Sequence, residues 1–214
     1  MSDPFDVVRQ FEAELCRYTG AKYAVSCTSC TAALLMALAW FKRQYGAQTV
    51  EVPKRTYVGV GMSILNAGHS IAFRDEIWRG EYKLDPLPLW DSARRLTGGM
   101  FRPGQMQTLS FHWTKHLGIQ QGGAIILDDP EADHWLRRAR FDGRREGVHP
   151  KDDTFDFVGF HCYMAGATAA EGLMRLSVLP KHNDDLPMSD YSDLSLAPVF
   201  GGGKPAKIVA EAAE

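Results

Sequence analysis

Residues 29–46, SCTAALLMALAWFKRQYG, form a helix-prone run that is apolar on nearly every side. A helix with so little polar face cannot lie open on a surface; it has to be enclosed between a sheet and another layer. Short β-prone runs flank it, KYAVSC (22–27) before and QTVEV (48–52) after. The alternation continues with a Gly-weakened helix, TYVGVGMSILNAG (56–68), and a strand, HSIAF (69–73). PLPLWD (86–91), QTLSFHW (107–113) and GGAIIL (122–127) read as three more strands. Asp129-Pro130 opens a helix running to about Phe141. Ahead of all these, Asp3-Pro4 followed by Phe5, Val8, Phe11 and Leu15 reads as a capped amphipathic helix stopped by Gly20. This order predicts an α/β fold, a mostly parallel sheet flanked by helices.

After Val158 a helix rich in small residues, MAGATAAEGLMRLSVL, leads to Pro180. Beyond it the chain is rich in Pro, Gly, Asp and Ser and includes GGGKP. Residues 1–180 are therefore expected to form one domain, and 181–214 an extended arm or tail with a short helix at KIVAEAAE. An arm of this length can cross onto a neighbouring subunit.

Composition narrows the function classes. Among 214 residues, 24 basic side chains against 26 acidic ones give no field for general nucleic-acid binding. No apolar run is long enough to span a bilayer, and the start MSDPFDVVRQ is acidic and amphipathic, unlike a signal peptide. Cys16, Cys27, Cys30 and Cys162 are too few for a disulfide framework, so a reduced, cytoplasmic protein is expected.

Three segments can carry chemistry. Ser26-Cys27-Thr28-Ser29-Cys30-Thr31 lies between a strand and a helix, where unpaired N–H groups and hydroxyls suit a phosphate. Plain N-capping by Ser29 or Thr28 fits the same residues. Cys27-x-x-Cys30 fits a redox pair as well; no second CxxC or paired histidines complete a zinc site, and no metal is expected. Asp91 ends an apolar strand, where an acid can hold a cationic nitrogen or cap a helix starting at Ser92. Lys115 follows a strand in an aromatic setting, SFHWTK, where desolvation can favour the neutral, nucleophilic amine; a lone lysine after a strand is otherwise simply solvated. Together these are the parts that pyridoxal phosphate needs: a lysine for the imine, a carboxylate for the pyridine nitrogen and a helix-end anion site.

Five blocks carry a family resemblance: FEAELCRYTGAKYAVSCTSCTAALLMAL, VPKRTYVGVGMSILNAGHSIAFRD, LWDSARRLTG, LSFHWTKHLGIQQGGAIILDD and VGFHCYMAGATAAEGLMRL. In order and over most of residues 5–180, they resemble the DegT/DnrJ/EryC1/StrS sugar aminotransferases, pyridoxal-phosphate enzymes of fold type I. The resemblance implies the large domain of that fold in a reduced form, and that Lys115 forms the internal aldimine and shuttles protons. Lysine there, rather than the histidine of a dehydrating branch, implies amino transfer. It further implies that Asp91 pairs with the pyridinium and that Ser110, Ser29, Thr31 and the Cys30 and Thr31 amides hold the phosphate. Tyr57 would cover the ring. The donor would be an amino acid, glutamate by analogy, and the acceptor a keto compound, such as a nucleotide-linked keto sugar. His161 stands where the family's asparagine reaches the neighbouring subunit's phosphate, so a homodimer with shared sites is implied.

Departures from the pattern are specific. Cys30 replaces a glycine, Arg94 a glutamine near the cofactor's phenolic oxygen, Tyr163 an arginine and His161 the asparagine. Only fifteen residues separate Asp75 from Asp91, where the family carries another strand–helix unit, and no counterpart of its small domain follows Pro180. These changes keep a second expectation open, a non-catalytic cofactor- or sugar-binding or assembly protein of the same descent. The cluster RRARFDGRR (137–145) reads as a solvated face or, alternatively, as a contact for a nucleotide diphosphate, and Trp78, Trp90 and Trp135 as packing residues.

Overall fold

The β-strand GAIIL (Gly123–Leu127) alternates between two cores, and the layering follows from it. In a computed structural model, which describes Asp3 and residues 5–202, Ile125 and Leu127 join one apolar cluster while Ala124 and Ile126 join the other. A strand covered on both faces reads as a continuous apolar run, as this one does. The first core lies under α2 (Cys30–Tyr45), α3 (Val58–Asn66) and α4 (Pro130–Ala139), and the second under α1 (Asp6–Thr19) and α5 (Gly166–Val178). On α2, Leu34, Met36, Leu38, Trp40 and Phe41 are all buried, as its nearly all-apolar sequence requires. On α1 only Val8, Phe11 and Leu15 form the apolar buried stripe, the amphipathic case. Gly172 lets α1 and α5 approach, since a Cβ there would stand 2.8 Å from the Phe11 ring.

The strands are β1 (Tyr23–Cys27), β2 (Thr49–Pro53), β3 (Ser70–Arg74), β4 (Tyr82–Lys83), β5 (Leu89–Asp91), β6 (Met106–Ser110) and β7 (Gly123–Leu127). Five of them form one sheet in the order β1-β7-β6-β5-β4, and β2 pairs with β3 beside it. The β5–β6 and β2–β3 ladders are parallel, whereas β1–β7, β6–β7 and β4–β5 are antiparallel. An antiparallel bridge from Glu51 to Asp85 links β2 to the end of the β4 segment. Followed through these pairings, β1, β2, β3, β5 and β6 run one way and only β4 and β7 are reversed. The expected parallel character thus holds for strand direction, while the two reversed strands make the ladders mixed.

Local differences have simple causes. No helix follows Asp91; residues 92–95 form a turn in which the Arg95 N–H donates to the Ser92 carbonyl. β6 stops at Ser110, because His112 and Trp113 fold into the turn that ends at Lys115. Residues 181–202 lie back across the domain. The Leu186 N–H donates to the Arg94 carbonyl (3.0 Å), the Gly80 N–H to the Leu186 carbonyl (3.0 Å) and the Leu194 N–H to the Lys54 carbonyl (2.8 Å). The segment KIVAEAAE lies outside the described residues. Among those described, no helix is long and apolar enough to cross a membrane.

The cluster 137–145 is not a solvated face throughout. Arg140 is fully buried and shares Glu12 with Arg137; its guanidinium also reaches the Ser26 carbonyl (2.7 Å) and Glu146 (2.8 Å). Burial alone would raise the Glu12 pKa, but Arg140 and Arg137 beside it hold it below the ordinary value. Arg145 is bound to Asp153, and Arg144 lies over the Phe141 ring.

Candidate active site

Register brings the functional side chains to one end of the sheet. Cys27 pairs with Gly123 and Gly123 with Ser110, so the ends of β1 and β6 meet the start of β7 in one row. Asp91 pairs with Thr108, two residues before Ser110, one strand further across. The carboxyl ends of the strands sharing one direction therefore open on a common crevice, the usual ligand position in open α/β sheets. A cavity of about 510 Å³ fills it, within the size range of small-molecule sites.

The α2 N-terminus forms one wall. Ser29 is its N-cap, with an extended backbone, and its hydroxyl oxygen accepts from the Ala32 N–H at 3.1 Å. The capping and anion-site readings of this segment are compatible, because the Ser29 hydroxyl still has its proton to donate. The Cys30 and Thr31 amides are first-turn N–H groups of α2, which the helix itself cannot satisfy. Gly123 supports this wall closely: a Cβ there would overlap the Cys30 nitrogen and stand 2.6 Å from the Ser29 carbonyl oxygen. Gly123→Ala is expected to push the α2 N-terminus outward and to destabilise the fold by about 1–3 kcal/mol. Urea unfolding checks it; an unchanged midpoint would mean that the backbone yields without cost.

Asp91 lies at the floor, 4% exposed. One carboxylate oxygen accepts from the Ala93 N–H at 2.9 Å and the other from the Tyr82 hydroxyl at 2.8 Å. Burial pushes its pKa up; the Ala93 amide, Tyr82 and the Lys115 charge oppose that. Lys115 is half-buried on the turn after β6, and burial, followed by the Arg94 charge, pulls its pKa down, while Asp91 acts against them. Lowering an amine pKa raises its neutral, nucleophilic fraction. Arg94 lines the same cavity; its guanidinium bonds the Ser189 hydroxyl, and its buried Nε has no partner among the described residues.

Ser29, Cys30, Thr31, Tyr57, Asp91, Arg94, Ser110 and Lys115 all line this cavity. His161 does not; its side chain is 70% exposed and bonds Asp142 at 2.8 Å. Arg144 and Arg145 are also outside it. Both Cys27 and Cys30 are free thiols whose pKa burial pushes up, Cys27 to about 12, the opposite of an activated redox pair. Trp78 packs in the core, as expected, yet also lines the cavity. Ser189 and Tyr191, in the segment read from sequence only as an arm, form part of the wall, and Tyr191 stacks on Trp78 at 6.3 Å. Nothing local marks those two residues; they reach the cavity only because the chain doubles back.

The sequence profile of the DegT/DnrJ/EryC1/StrS aminotransferase family matches residues 3–88 and 95–185. No curated protein matches the chain. Among solved structures, AtS13 from Actinomadura melliaura is similar at 20% identity, with a TM-score of 0.71, over 81% of this chain and 60% of that one. The sugar aminotransferase CalS13 from Micromonospora echinospora is 18% identical, with a TM-score of 0.68, over 83% and 62%. A GDP-4-keto-6-deoxymannose-3-dehydratase, solved with bound GDP-perosamine, is 20% identical, with a TM-score of 0.65, over 82% and 61%. The chain thus spans about three fifths of the length of the solved chains it matches. At these identities the likeness establishes the fold.

Proposed function

Because the chain belongs to the DegT/DnrJ/EryC1/StrS aminotransferase family, we propose that its cavity holds pyridoxal phosphate and transfers an amino group from an amino acid to a keto acceptor. The observation that carries this reading is the convergence of Lys115, Asp91, Ser110 and the α2 N-terminus on one cavity. Two features fit the cofactor's polar atoms: the amides of the first turn of α2 suit a phosphate, and the partnerless Arg94 Nε suits an anionic oxygen. When bound, the cofactor supplies an electrophilic carbonyl and a ring that accepts electrons.

The chain's own groups divide the remaining work. Ser29, Thr31 and Ser110 donate hydroxyls toward the phosphate, together with the Cys30 and Thr31 amides. Asp91 would serve as counter-charge to the ring nitrogen and Arg94 to the phenolic oxygen, and Tyr57 would cover the ring. The Lys115 amine, whose pKa burial and Arg94 lower, would hold the cofactor's carbonyl carbon, with release of water, and would accept and return a proton within the bound donor or acceptor. Glutamate serves as donor, and a nucleotide-linked keto sugar as acceptor, by analogy with the family. His161, at the surface, is assigned to the phosphate of a second subunit in a homodimer. Residues 1–180 serve as the cofactor domain and 181–214 as an arm, of which Ser189 and Tyr191 line the cavity.

Glutamate added to the cofactor-loaded protein, without acceptor, should yield 2-oxoglutarate and pyridoxamine phosphate in stoichiometric amounts. The altered positions Cys30, Arg94 and Tyr163 favour a second reading, a binding protein without turnover. Cofactor uptake with no 2-oxoglutarate would select that one.

A further inference from the structure

Tyr82 has no counterpart among the roles assigned above, yet it touches the buried acid of the site directly. It lies on β4, 2% exposed, as the cross-strand partner of Asp91. Its hydroxyl donates to Asp91 Oδ2 at 2.8 Å and lies 2.6 Å from Thr56 Oγ1. Since the phenol proton is committed to Asp91, Thr56 is the donor in the second bond, which gives a relay from Thr56 through Tyr82 to Asp91. The Trp78 ring meets the Tyr82 ring edge-on at 4.7 Å and fixes its plane. The other Asp91 oxygen is held by the Ala93 amide, so the carboxylate is oriented from both sides.

We infer that Tyr82, backed by Thr56, is a positioning residue that holds Asp91 as an oriented, ionised carboxylate facing a cationic ring nitrogen in the cavity. The inference rests on the reading that the cavity takes pyridoxal phosphate. Besides Tyr82, the groups facing Asp91 are Lys115 across the cavity, Cys30 on α2 and Glu81 just before β4. Burial, with the Asp91 charge beside it, pushes the Tyr82 pKa well above the ordinary phenol value, so it remains a neutral donor wherever Asp91 titrates. Removing that donor destabilises the charged carboxylate and raises the pKa of Asp91.

Two measurements test this. In the cofactor-free protein, carbon-13 NMR titration of the Asp91 carboxyl should show its pKa rise by about one unit in Tyr82→Phe, less in Thr56→Val, and not at all in Thr56→Ser. With pyridoxal phosphate, Tyr82→Phe should move the loss of binding at low pH upward by about one unit, so that the dissociation constant rises about tenfold on the acid side of that limit and little above it. An unchanged Asp91 titration, or affinity reduced equally at every pH, would overturn the relay and leave Tyr82 a packing residue. Should Tyr82→Phe fail to fold, Thr56→Val carries the same test. An intact NMR shift in a protein that takes up no cofactor would refute the reading of the cavity while leaving the Tyr82–Asp91 relay in place.

Discussion

Lys115→Ala should lose cofactor capture and turnover together, with a fall in the glutamate half-reaction on the order of 10⁴-fold or more. The size follows from two roles placed on one amine, covalent attachment and proton transfer between carbons. Its setting supports both, since burial and Arg94 lower its pKa and no acid pairs with it directly among the described residues. Lys115→Arg should be no better: the charge remains, but a guanidinium stays protonated and cannot attack. Stopped-flow and steady-state assays of 2-oxoglutarate check the fall. Activity retained in either variant would remove Lys115 from the chemistry.

Arg140→Met should be the most destabilising change away from the site, costing about 3–5 kcal/mol. The cost is not the loss of attraction alone. Glu12, 3% exposed, would keep its charge with only Arg137 beside it, and the Ser26 carbonyl would lose a donor. Chemical unfolding measures it, and the double variant Glu12→Gln with Arg140→Met should recover part of the loss because it removes the stranded charge. The same network sets an acid limit. Glu12 has a folded pKa below its ordinary 4.5, so its contribution is present above that value and fades as pH falls through the lower folded one.

How much was legible in the sequence depended on the range of the interaction involved. SCTAALLMALAWFKRQYG reads as an enclosed helix because burial on all sides leaves its mark in each residue of the run, whereas GGAIIL reads as a strand and its burial on both faces is seen only in the structure. Asp91 and Lys115 can be placed together because strand ends in an α/β sheet share one edge, whereas Ser110 enters only through the family resemblance. Tyr82 could not: β4 is two residues long, too short for an alternation, and its pairing with Asp91 is set by the hairpin rather than by any local pattern. Arg140 reads with its neighbours as solvated, since the acid that pairs with it in the core, Glu12, lies 128 residues away. Ser189 and Tyr191 looked like tail residues for the same reason.

The roles proposed for the cavity all depend on a covalent link between Lys115 and pyridoxal phosphate. Reducing the loaded protein with borohydride, digesting it and mapping the modified peptide by mass spectrometry tests that link directly. The expected result is one phosphopyridoxyl group per chain, on the peptide containing Lys115 and on no other lysine. Absence of the label, or its spread over surface lysines with Lys115 unmodified, would contradict the account.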